Sequence, residues 1–181
     1  MRFTKIKVDK NGKIGLTYQK EDGKDGWDDF SMTCAQPAAP EFYKAMQALG
    51  YFAVELCELP TDYINKLIVF SVSLSYAGPQ DTMGAVITCK IPLAKSNCPL
   101  VLNTPHKTDM PYSGQEPEEA DPAGLLPEGC PEAINTLCEE ARRYLNGTRA
   151  QTTIDIAKDI INDIKELNPD GQTSFIAGKD A

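Results

Sequence analysis

From Phe70 to Tyr76 large apolar side chains (Phe70, Val72, Leu74, Tyr76) alternate with hydroxyls (Ser71, Ser73, Ser75). A period of two marks a half-buried β-strand, with one face in a core and the serine face toward water, a ligand or another protein surface. The same reading gives strands over residues 2–9 and 13–20. Ile6, Val8, Ile14, Leu16 and Tyr18 share one side, while Lys5 and Lys7 point the other way. Asn11-Gly12 supplies the positive φ angles of a tight hairpin turn between them. Further strands are expected over Trp27–Cys34, about 67–77 and about 83–93. The segment after Cys98 reads as a short extended piece whose prolines interrupt regular pairing.

Spacings of three and four take over in three places. Phe42, Ala45, Met46, Leu49, Phe52, Ala53 and Leu56 make the clearest helical stripe, opened by Pro40 and Glu41 and ended by Pro60. Gly50 inside it suggests close packing. A second helix starts near Pro131, with Ile134, Leu137, Cys138, Ala141 and Leu145 on one side and Gly147 as its stop. A third carries Ile156, Ile160, Ile164 and Leu167 along one side.

Strand pairs joined by short turns favour antiparallel pairing. The expected class is therefore α+β: an antiparallel sheet of five to six strands packed by the helix 40–58, with C-terminal helices. The organisation reads as a sheet core over 1–109 and an acidic Pro/Gly-rich loop or linker over 110–128. A helix packed on the core (129–147) and an Ile-rich helix with a loose tail (148–181) follow.

Composition narrows the class. The 181 residues are 41% hydrophobic and 24% charged, as in an ordinary soluble domain. The first residues lack the apolar stretch of a secretory signal, and no apolar run reaches the roughly 20 residues that span a bilayer. A cytoplasmic protein with no membrane partner is expected. The six cysteines are dispersed, none in a C-x-x-C pair, which favours reduced thiols. The net charge of −8 is uneven: residues 1–24 hold seven basic and three acidic side chains, leaving −12 for the other 157.

Chemistry is sparse in local motifs. Neither a G-x-x-x-x-G-K-[ST] loop nor a G-x-G-x-x-G turn is present, and one histidine with scattered cysteines is no metal site. No cofactor is implied. His106, in Asn103-Thr104-Pro105-His106, is the one candidate imidazole base, without an adjacent nucleophile motif. Three features rise above this background. Lys5, Lys7 and Lys13 make the first hairpin basic, as in single-stranded nucleic-acid binders, although outward lysines also protect a sheet edge. Ser71, Ser73 and Ser75 leave room for a close approach to the sheet. The stripe Ile156, Ile160, Ile164 and Leu167 needs cover, by folding back on the serine face or by a second copy of the chain.

The segments Pro40–Leu49, Glu55–Pro60, Val72–Leu93, Ser96–Lys107 and Tyr144–Gln151 together resemble a group of bacteriophage- and prophage-encoded proteins without established catalytic residues. The likeness covers about residues 3–151. It implies a bacterial-host cytosolic protein made by a phage or prophage, and it carries over no site residue. The expectation is a non-enzymatic accessory protein acting by binding, in DNA metabolism or by sequestering or inhibiting a host component. A homo-oligomer, with a host protein or small nucleotide as partner, belongs to that reading. The alternatives are a single-stranded nucleic-acid module, which the acidic balance disfavours, and a carboxylate-based, metal-dependent hydrolase.

Overall fold

Asp9 and Gly12 set the first turn. In the computed structural model, which describes residues 1–23, 26–111 and 122–150, Gly12 takes a φ of 77°. The Asp9 carboxylate accepts the N–H groups of Asn11 at 2.7 Å and Lys13 at 2.8 Å. This turn pairs β1 (Arg2–Val8) with β2 (Ile14–Glu21), and β3 (Trp27–Cys34) lies along β2. The chain then passes through helix α1 (Pro40–Leu56) and returns as β4 (Ile68–Ala77) beside β1. Strand β5 (Thr82–Ile91) follows by a hairpin. Both β6 (Leu100–Asn103) and β7 (Lys107–Thr108) pair with the outer edge of β5.

The result is a seven-stranded antiparallel sheet, ordered β3-β2-β1-β4-β5-β6 with β7 also on β5. The α+β expectation holds, with one or two strands more than foreseen. The surplus arises because Pro105 cannot donate to a ladder and splits the last edge in two. Thr104 bridges the gap: its N–H reaches the Ile87 carbonyl at 2.9 Å, and its hydroxyl accepts the Ile87 N–H at 3.0 Å.

One side of the sheet is dry. Phe42, Met46, Leu49 and Ala53 of α1 share a buried core with Ile6, Leu16, Val72, Leu74, Ile87 and Cys89. Removing each large side chain from water contributes about 1.5–3 kcal/mol. Helix α2 (Cys130–Leu145) packs on α1 and β1. Its buried stripe is Ile134, Leu137, Ala141 and Tyr144, while Cys138 and Leu145, expected on that stripe, are only half-buried. Tyr144 belongs inside because its hydroxyl donates to the Gln36 carbonyl at 2.6 Å. Gly50 is not a close-packing site: an added Cβ would sit 3.7 Å from Val69 Cγ2, an ordinary contact.

The alternation in β4 is broken once. A bulge between Val69 and Ser71 breaks the register, so Val69, Val72 and Leu74 are buried core residues. Phe70, expected on the core row, is displaced from it and remains half-buried. All six cysteines are free thiols. Residues Met1–Arg149 form one compact unit; the second, residues 150–181, is described only at Ala150. The stripe Ile156, Ile160, Ile164 and Leu167 lies outside the described residues, as does most of the acidic loop. No described helix is long and apolar enough to cross a membrane.

Candidate functional site

Strand register builds a polar row on the side of the sheet opposite α1. Lys7 of β1 faces Ser71 of β4, Ser71 faces Thr88 of β5, and Thr88 faces Asn103 of β6. Continued outward, the row meets Gly15 of β2. A Cβ there would lie 2.5 Å from Lys7 Cε and 2.9 Å from its Cγ, so Gly15 lets the Lys7 stem lie flat on the sheet. The neighbouring row is Lys5, Ser73 and Val86.

Over the first row runs a groove of about 680 Å³. Lys5, Lys7, Lys10 and Lys90 line it, with Asp9 as the one acidic residue among the described lining. Asp9 is committed to the hairpin turn, and the Lys13 N–H is the leading cause holding its carboxyl below the usual range. None of the four lysines enters a salt bridge among the described residues. The apolar part of the lining is Val8, Phe70, Pro99 and Val101. Lys90 Nζ stands 5.9 Å from the Phe70 ring centroid.

At the floor of the groove is Ser71, only 4% exposed. Its Oγ is buried without a hydrogen-bond partner, alone in this among the described side chains. A buried hydroxyl lacking a partner costs about 1–3 kcal/mol. Because the atom is sealed from solvent, an oxygen or nitrogen of a bound molecule would satisfy it once the side chains over it move apart.

Further along β4, Ser75 Oγ lies 2.8 Å from His106 Nε2. The imidazole sits over Gly84, where a Cβ would come within 2.2 Å of Nε2. Ser71 and Ser75 are four residues apart, about 13 Å along the strand. The sequence thus named a serine and a histidine that do meet. A serine nucleophile also needs its base oriented by a third group, and among the described residues His106 Nδ1 has no hydrogen-bond partner.

Of the residues singled out in the sequence, Lys5, Lys7 and Ser71 converge in the groove, Ser73 occupies the next row, and Ser75 and His106 form a separate pair. Lys13 does not join them: it is outside the groove lining, its N–H held by Asp9. Lys90, Phe70, Thr88 and Asn103 were missed. Lys90 carried a signal, the one cation in an otherwise uncharged strand and on the same parity as Thr88. Among the described residues, no group of three or more His, Cys, Asp or Glu side chains could hold a metal ion.

The fold and site together define an α+β protein with a basic, hydroxyl-floored groove on the open face of an antiparallel sheet. No protein-family model, curated protein or solved structure matches the chain.

Proposed function

We infer that this protein acts by binding, not by catalysis, and that the groove over Ser71 receives an anionic ligand. The observation that carries this reading is the buried, unpartnered Ser71 Oγ beneath lysines that enter no salt bridge among the described residues. Ammonium groups at a partly desolvated surface attract anions more strongly than they would in bulk water. The resemblance to phage and prophage proteins supports an accessory role, in which holding the ligand withdraws it from a host process.

The test is an NMR titration of the full chain with inorganic phosphate at about 50 mM salt, where screening is modest. Amide shifts confined to Lys7, Ser71, Thr88 and Asn103, and lost in Lys7→Glu, are the expected result. Undisturbed resonances along that row, or shifts indifferent to both Lys7→Glu and Lys90→Glu, would overturn the reading.

A further inference from the structure

Resting on the anion-binding reading, we propose that the ligand is a phosphorylated compound bearing a flat ring, of nucleoside-monophosphate size. Its phosphate lies between Lys7, Lys90 and the Ser71 hydroxyl, and its ring lies against Phe70.

The lining argues for a ligand with two unlike ends. Val8, Phe70, Pro99 and Val101 are apolar, and a hydrated inorganic anion would leave them wet. A groove of about 680 Å³ falls in the range of small-molecule sites and exceeds what a bare phosphate fills. Phe70 is also placed deliberately. The bulge removes it from the core row, and the Gln47 side chain clasps the backbone of the preceding residue, Val69. An aromatic face beside a cation, as Phe70 stands beside Lys90, complements a ring carrying an anionic substituent.

The charge distribution argues against a long polymer. The groove's cations cluster at the Ser71 end of the face. Arg2, further along β1, is held by Asp81 at 2.6 Å and stacked 3.9 Å from the Trp27 ring. Beyond Ser73 the open face offers Ser75 and His106, which are occupied with each other. A strand of nucleic acid would run on beyond these cations, and a chain of net charge −8 repels the remainder.

Calorimetry of the full chain at about 50 mM salt compares inorganic phosphate, adenosine, adenosine 5′-monophosphate and an oligothymidylate of about ten residues. Adenosine monophosphate is expected to bind at least about tenfold more tightly than either phosphate or adenosine, the stacking contribution of one ring. Phe70→Leu is expected to remove about that factor for the monophosphate. Circular dichroism confirms that the variant is folded, and Val101→Ser probes the same wall should it not be. If phosphate binds but the monophosphate gains nothing, or if Phe70→Leu leaves the monophosphate unaffected, this inference fails while the anion reading stands. If no probe binds, both fail. Tight oligothymidylate binding with a steep salt dependence would overturn the inference in favour of a polymer.

Discussion

The Gln47 carboxamide makes two hydrogen bonds to Val69: its Nε2 donates to the Val69 carbonyl at 2.7 Å, and its Oε1 accepts the Val69 N–H at 3.2 Å. The β1 pairing of β4 stops at Ser71, so at Val69 the side of β4 away from β5 has no strand partner and the amide side chain stands in for one. Gln47→Leu removes both partners at a half-buried site. A loss of about 1–3 kcal/mol is expected, read as a lower urea midpoint with unchanged slope. Because the bulge that displaces Phe70 lies beside this clasp, the variant should also weaken ligand binding in the groove. Full stability in Gln47→Leu would show that the clasp is incidental.

Ser71→Ala separates folding from binding. The wild-type hydroxyl lost its water without gaining a partner. Replacing it with a methyl group should raise ligand-free stability by up to about 1 kcal/mol, measured by urea or thermal unfolding, while phosphate affinity falls. A destabilised Ser71→Ala would mean that the hydroxyl has a partner in solution.

The two helices end in the same way with different residues. After α1, Leu59 N–H reaches the Val54 carbonyl at 2.9 Å and Glu58 N–H the Glu55 carbonyl at 3.0 Å, with Glu58 at a φ of 53°. After α2, Thr148 and Gly147 repeat the pattern on Arg143 and Tyr144, with Gly147 at a φ of 102°. A left-handed residue with a Cβ costs roughly 1–2 kcal/mol more than glycine. Glu58→Gly should therefore stabilise the protein by about 1 kcal/mol, and Gly147→Ala should destabilise it by a similar amount. Calorimetric melting of the pair decides, and equal signs would refute the argument.

Thiols give the pH dependence. Burial pushes Cys89 and Cys130 up to about 12 from an ordinary value of 9.0. Their protonated forms are retained in the folded state, so the stability they support is complete below pH 9 and is lost as pH rises toward about 12. Urea midpoints should accordingly fall over that interval, and Cys89→Ala should flatten the fall. Cys34 moves the other way: the Tyr144 hydroxyl, the Gln36 backbone and the Arg149 guanidinium favour its thiolate. Iodoacetamide at neutral pH, with peptide mass mapping, should modify Cys34 in the native protein and spare Cys89 and Cys130. Labelling of Cys89 ahead of Cys34 would contradict this account.

Local chemistry made the elements readable. Asn11-Gly12 can turn a chain wherever it stands, and Pro40, Glu41 and Gly147 mark helix ends through bonds within a few residues. The period of two in residues 71–76 disclosed a sheet with one dry and one wetter face for the same reason. Lys5, Lys7 and Ser71 were legible as parities on separate strands. Their convergence was not, because it depends on β4 returning across α1 to pair with β1 rather than with β3.

Phe70 marks the boundary between the two kinds of information. By alternation it belongs with Val72 and Leu74, and local pattern alone contains nothing that moves it. The bulge displaces it from the core, at the point where the docking of α1 brings Gln47 to Val69. Lys90 and Asn103 likewise become neighbours of Ser71 only through ladder register across β5 and β6. The chain by itself determined its strands, helices and dry face, since these follow from spacing and turn residues. Tertiary structure decided the groove, since a site shared by four strands exists only once distant segments have paid the entropy of meeting.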